Sequence, residues 1–310
     1  MLDHADIDFQ IRTAAMARLS QLRDAGGGVV SSSQLDTGFE FGGERIALWS
    51  SQKGIWKPRQ LNFLNVALTV TTAPKVEGRA PAYDDEIADD RGSFGYKYQG
   101  TDAEHWSNVA VRNAKLYRRP LIYLYGIAKG VYEPIFPVYI VQDDPSTLTF
   151  RLQVDVSDRV SALSEDWLEV NAPRREYQTV AVKRRVHQHR FRELVLNAYT
   201  RRCAICELRH ASLLDAAHIR EDRDERGLPE ISNGLTLCKI HHSAYDANIL
   251  GISPELRVHV RDDILREIDG PMLEHGLKAM AGRALRVPRR ESWRPNLEFL
   301  DERFGRFRSA

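Results

Sequence analysis

The chain has 310 residues, 43% of them apolar and 28% charged, and a formal net charge of +1. It is long enough for two domains with proper cores and carries no repeat or low-complexity tract. No apolar run approaches the roughly 20 residues of a membrane span, and the opening MLDHADIDFQ is too acidic and polar for a signal peptide. A soluble, cytoplasmic protein with no membrane partner is expected.

Residues 5–24 predict an amphipathic helix, since Ile7, Ile11, Ala14, Ala15, Leu19 and Leu22 keep a spacing of three and four and the run Gly26, Gly27, Gly28 ends it. Short strands broken by turns follow: GFEFGGERIALWS, LNFLNVALTVTT, LIYLYGI, FPVYIV and TLTFRLQVDV. They predict a curved sheet or partial barrel over about 30–160. Within it the loop PAYDDEIADDRGSFGYKYQG crowds carboxylates ahead of Tyr96, Tyr98 and a glycine. An acidic loop is out of place against phosphate, but an aromatic and a carboxylate can meet a flipped cytosine, one by stacking and one by accepting its amino proton. A polar loop, a helix and a strand come next, with Arg112, Lys115, Arg118 and Arg119 available for a DNA backbone.

Four pieces of this region, Tyr83-Asp84-Asp85, Tyr98-Gln99-Gly100, Asn108-Val109-Ala110-Val111 and the strand Leu121 to Tyr125, resemble the SRA domains. These are PUA-like modules that read methylated or hydroxymethylated cytosine by base flipping. The resemblance implies that Tyr83 and Tyr98 flank the base and that Asp85 or Asp84 bonds its Watson–Crick edge. The family's longer insertion after the glycine turn is missing.

Residues 160–180 read as a connector with a break at Pro173. Basic charge then concentrates, with nine Lys or Arg against two acids between Arg174 and Arg202. Phe191, Leu194, Val195 and Ala198 form the apolar stripe of a helix there. Arg184, Arg185 and Arg190 are left on an outer face that can track phosphates.

Cys203 and Cys206 are answered by Cys238 and His241 at the same spacing, which makes a tetrahedral zinc set. The set uses all three cysteines, leaves none for a disulfide and points to a reducing compartment. The metal would pin together a knuckle, a short hairpin carrying His218 and an Asn-Gly turn at Asn233-Gly234, and a helix opening near Leu237-Cys238. On that helix His242 and Asp246 are four residues apart, so they share a face and can share a second, divalent cation. A neutral imidazole opposite them is placed to deprotonate water for attack on phosphorus. His187, His189 and His210 fit no ligand spacing and read as surface residues.

The combination of the four clamp ligands with AHI, NG and HH-x-x-x-D resembles the zinc-clamped ββα-metal, or HNH, nucleases over roughly Phe191 to Gly251. The resemblance implies that His218 is the general base, that Asn233 braces its loop, and that His242 ligates a catalytic Mg²⁺ or Mn²⁺. Many members carry Asp or His directly before the base, where this chain has Ala217. The cation would therefore rest on His242 and Asp246. Asp215 ranks behind them, because it lies three residues before the base and points off the same strand face as Ala217.

Beyond Gly251 a strand LRVHV and a helix PMLEHGLKAMAGRAL are predicted, then an arginine-rich tail whose Trp293, Phe299, Phe304 and Phe307 suggest docking on the body of the protein. The expected fold is α+β, with a PUA/SRA-like sheet and helices followed by a ββα-metal domain with structural zinc. Residues 1–165 would form the reader, 166–185 a connector and 186–310 the nuclease with its extension. The whole is similar to the McrA-like, modification-dependent restriction endonucleases. It would act on double-stranded DNA carrying 5-methyl- or 5-hydroxymethylcytosine, with a homodimer as one route to double-strand breaks. Two alternatives are an HNH nuclease whose amino-terminal domain reads phosphorothioate, RNA or unmodified sequence, and a non-catalytic zinc-bearing DNA-binding protein.

Overall fold

The computed structural model describes residues 4–74, 93–155, 172–221 and 229–310, and the chain divides into two compact units, 1–189 and 190–310. The first carries α1 (His4–Ala25), β1 (Val30–Ser31), α2 (Ser32–Leu35), β2 (Phe39–Phe41), β3 (Glu44–Ile46), β4 (Ile55–Trp56), β5 (Thr69–Thr71), β6 (Phe94–Lys97), α3 (Trp106–Leu116), β7 (Leu121–Ala128), β8 (Val131–Asp144) and β9 (Thr149–Val154). Helix α4 (Ala172–Ala198) begins in this unit and ends in the next.

Helix α1 forms as its periodicity predicts, burying Ile11, Ala15, Leu19 and Leu22, and it ends where Gly27 and Gly28 take positive φ. The same face buries Arg12, whose guanidinium pairs with Asp8 at 2.9 Å and donates to the carbonyls of Ala67 and Pro120. These bonds offset the cost of taking the charge out of water.

The main sheet runs β4-β5-β7-β8-β9-β6, with β1 pairing the start of β8. The β5–β7 pair is parallel and the rest antiparallel. Strand β7 is apolar throughout because both its faces are covered. Leu121, Tyr123, Tyr125 and Ile127 join Ala110, Val111 and Ala114 of α3 and Val182 and Val186 of α4, while Ile122 and Leu124 meet the residues of α1. Register shifts along β8, one of them between Ile140 and Gln142, bend that long strand. The Tyr96 hydroxyl of edge strand β6 donates to Gly54 O at 2.8 Å, beside the opposite edge strand β4. The result is a curled half-barrel, so the α+β architecture stands.

Two strand expectations change. GFEFGGERIALWS closes into its own hairpin, β2–β3. Of LNFLNVALTVTT only Thr69–Thr71 is a strand, since Asn65 takes φ 50° and interrupts the extended run, although Val66, Ala67 and Leu68 are still buried. Residues 160–171 of the expected connector lie outside the described residues, and residues 172–185 are helical. Pro173 falls in the first turn of α4, where its missing N–H would have had no partner within the helix, so it opens the helix instead of breaking one.

The second unit adds β10 (Leu214–His218), β11 (Gly234–Cys238), α5 (Lys239–Asp246), β12 (Leu250–Ile252), β13 (Val258–Val260), α6 (Asp262–Arg266), α7 (Pro271–Gly276) and α8 (Leu297–Arg308). The helix expected over PMLEHGLKAMAGRAL is only α7 followed by a 3-10 turn, Lys278–Met280, because Leu277 leaves helical geometry at φ −121° and ψ −62° and Ala281 is extended at ψ 132°. The aromatic tail docks on the β12–β13 hairpin. Phe307 lies over Gly251, where an added Cβ would come within 2.5 Å of the ring, and Phe304 stacks on Phe307 and meets His259.

Candidate active site and metal centre

Cys203, Cys206, Cys238 and His241 converge, with one ligand atom from each lying within 4.8 Å of all the others. His241 Nδ1 is 3.4 Å from Cys203 Sγ and 3.3 Å from Cys238 Sγ, and Cys206 Sγ is 4.0 Å from Cys238 Sγ. A tetrahedron built on Zn–S of about 2.3 Å and Zn–N of about 2.0–2.1 Å has edges of about 3.5–3.8 Å, so the donor set fits zinc. The other imidazole nitrogen, His241 Nε2, lies 2.8 Å from Gly276 O, a hydrogen bond that fixes the tautomer needed for ligation through Nδ1. Nothing in the spacing of the four ligands pointed to Gly276. Sulfur contacts, from Cys206 first and then Cys238, hold the Cys203 thiol far below the usual thiol range. Burial disfavours the His241 imidazolium, but Cys203 and Cys238 outweigh it and push the ring up to about 10. The proton that His241 keeps is one that a metal displaces.

The clamp fixes one end of the β10–β11 hairpin, and its register pairs Leu214 with Cys238 and His218 with Gly234. The expected Asn-Gly turn is a 3-10 turn, Ile231–Asn233, that runs into β11 at Gly234, whose φ is −129°, so positive φ is not what requires the glycine. The glycine is required by close packing instead, since an added Cβ would sit 2.4 Å from Val195 Cγ2 and 2.9 Å from the Phe191 ring. That approach stacks Phe191 on the His218 imidazole, with centroids 4.0 Å apart and planes 15° from parallel. The sequence reading had placed Phe191 only in an apolar stripe. Asn233, 1% exposed, accepts from Arg220 N at 2.9 Å and donates to Arg220 O at 3.1 Å, while Ile219 N donates to Asn233 O. It clasps the two residues that follow His218.

His242 lies on α5 between two carboxylates. Its Nε2 is 3.3 Å from Asp246 and its Nδ1 is 3.6 Å from Asp215. Asp215, expected to rank behind Asp246 from its three-residue offset and its strand face, presents that face to α5 and so stands beside His242. Asp215 first, and the charge of Asp246 as well, hold the His242 imidazole above the usual histidine range against the effect of burial. Only one ring nitrogen can face a cation, and the carboxylate on the other can then orient the ring.

Several expected contact residues are used elsewhere. Arg112 pairs with Asp143 at 2.8 Å and Glu104 at 3.0 Å, and Arg119 pairs with buried Asp8. On α4 Arg184 is exposed and Arg190 half-buried, but Arg185 pairs with the buried Glu133 at 2.9 Å. His189 joins Glu133 at 2.9 Å and is not the plain surface residue expected, whereas His187 and His210 are exposed. Tyr83, Asp84 and Asp85 lie outside the described residues. Tyr98 is buried, stacked on Phe150 at 4.4 Å, with its hydroxyl on Asp143. The turn after it is tied to α3 by Asn108, which accepts from Gln99 N and donates to Gln99 O and Asp102 O. In that turn Gln99 Oε1 is buried with no hydrogen-bond partner among the described residues. No helix of the described residues is long and apolar enough to cross a membrane.

Comparison with known proteins agrees at the hairpin. The family described as HNH endonuclease matches residues 203–253, and this segment is an HNH endonuclease domain. No curated protein matches the chain. Among solved structures, the chain is similar to a protein described as modification dependent TagI restriction endonuclease, at 16% identity with a TM-score of 0.28, over 93% of this chain and 89% of that one.

Proposed function

We propose that the chain is a modification-dependent DNA restriction endonuclease, in which residues 1–165 read a flipped 5-methyl- or 5-hydroxymethylcytosine and residues 186–310 hydrolyse the backbone nearby. The observation that carries the nuclease half is the assembly of His218, Asn233 and His242 on one zinc-fitted hairpin and helix. His218 takes the proton of the attacking water, its ring kept in plane by Phe191 and its strand end kept in register by Asn233. A Mg²⁺ or Mn²⁺ held by His242 and Asp246, with Asp215 orienting the imidazole, would neutralise charge developing on the phosphate.

The reader half is supported by the SRA resemblance and by the way Asn108 ties the Tyr98 turn to α3. Tyr83, with Asp84 or Asp85, meets the base, Tyr98 positions the turn, and Gln99 Oε1 offers an acceptor within it. Reading tethers the nuclease, which raises its local concentration, so cutting need not be sequence-specific. One site cuts one strand, and double-strand breaks then need a homodimer or two encounters.

Digestion of one duplex sequence carrying cytosine, 5-methylcytosine or 5-hydroxymethylcytosine, with Mg²⁺ or Mn²⁺, tests both halves. Cleavage of a modified duplex over the plain one is expected. Equal cleavage of all three would overturn the reader, and no nicking of any with either metal would leave a DNA-binding protein without catalysis.

A further inference from the structure

A second basic site lies in the nuclease unit. Arg202, from the entry to the zinc knuckle, and Arg286 and Arg289, from the segment after β13, line one cavity of about 240 Å³ together with Tyr199 and Thr200. Arg286 is fixed at its backbone by donating from N to Ala204 O at 2.9 Å, one residue from the ligand Cys203, and its guanidinium donates to Thr200 Oγ1 at 3.3 Å. No carboxylate of the described residues lines the cavity, but Glu207 outside the lining pairs with Arg202 at 3.3 Å and with Arg286 at 3.5 Å. Arg289 makes no hydrogen bond or ion pair among the described residues. Three guanidinium groups against one carboxylate leave an excess of positive charge. Arg202 and Arg286 are only 27% and 35% exposed, so part of that charge is withdrawn from water, at a cost that a bound anion offsets.

The cavity is smaller than the roughly 300–1,000 Å³ of small-molecule pockets, which favours a single phosphate group over a nucleotide. The Thr200 hydroxyl donates to Tyr199 O at 2.7 Å and accepts from Arg286 at 3.3 Å, so it holds the fork of Arg286 at the cavity. We propose that this cavity holds one backbone phosphate of the duplex and so anchors DNA on the zinc-knuckle side of the nuclease. The inference rests on the reading of the chain as a DNA nuclease.

The test uses the full-length protein in a His218→Ala background, so that the duplex stays intact, and measures affinity for an unmodified duplex over a salt series. Each backbone phosphate lost lowers the slope of log K against log salt by about 0.9. Arg289→Ala, and more strongly Arg286→Ala with Arg289→Ala, should flatten the slope by up to that amount and weaken binding, while zinc content stays at the parent value. Glu207→Gln should tighten binding by freeing the two arginines. Unchanged slopes in zinc-replete variants would overturn this site alone, whereas a parent that fails to bind in a salt-dependent way would overturn the nuclease reading. Duplexes with and without 5′-phosphates separate the two sources of phosphate. A defect seen only with 5′-phosphorylated ends would replace the backbone contact with a terminal one and overturn the proposal as stated.

Discussion

His218 illustrates how a single residue acquires a role from its neighbours. Its place before an Ile and upstream of Asn233 and His242 was visible in the sequence, but the Phe191 ring at 4.0 Å was not. The reason is that Phe191 of helix α4 reaches His218 over the bare backbone of Gly234, a residue far from it in sequence. His218→Ala should lower cleavage by about 10²–10⁴, the usual contribution of a positioned base, with duplex affinity kept, because a neutral base adds little to phosphate binding. A matched loss of binding and cleavage, measured by single-turnover kinetics beside a binding isotherm, would make the histidine structural. Asp215 shows the limit of strand alternation. The pattern correctly put it on the face of Ala217, but only the packing of α5 against β10 makes that face the one that meets His242.

At the scale of elements, the clamp and the carboxy-terminal helix both hold the hairpin. Cys203→Ser removes one of four ligands, and the protein should lose its single equivalent of zinc and the fold of residues 190–310, while the reader keeps its own melting transition. Zinc analysis with a calorimetric scan checks this, and zinc retained at the parent level would remove the assignment. Helix α8 works from the other side. Its Glu302 pairs with buried Arg220, Phe299 lies 4.2 Å from the same guanidinium, and Arg306 reaches Glu221. Because Asn233 grips the backbone of Arg220, the contacts of α8 with Arg220 and Glu221 reach the segment after His218. Arg220 is 2% exposed and Glu302 39%, so Glu302→Ala strands a buried guanidinium and should cost more than the about 1 kcal/mol of a surface pair, toward the roughly 3–5 kcal/mol of breaking a buried one. Its larger effect should be a lower kcat at unchanged KM, partly restored by Glu302→Gln, which can still accept from Arg220. A kcat equal to that of the parent would confine α8 to stability.

For the whole molecule the decisive prediction concerns the reader. A flipped cytosine needs an aromatic face worth about 1–3 kcal/mol per base and an acceptor for its amino group. Tyr83→Ala or Asp85→Ala should therefore abolish the preference for modified over plain duplex and leave salt-sensitive backbone binding. A competition assay at fixed salt reads that ratio, and a variant that binds weakly yet keeps the full ratio would put the pocket elsewhere. The sequence by itself determined the four clamp ligands, the HNH segment and helix α1, because ligand spacing, a strand–loop–helix motif and the periodicity of three and four are local properties of the chain. Only the tertiary structure decided that Arg112 and Arg119 are tied up in ion pairs, that Asp215 stands beside His242, that the tail packs on β12–β13, and that three arginines from distant segments share one cavity. Each of these depends on residues far apart in sequence meeting in space, and a charged side chain reads the same along the chain whether its partner is phosphate, a carboxylate or water.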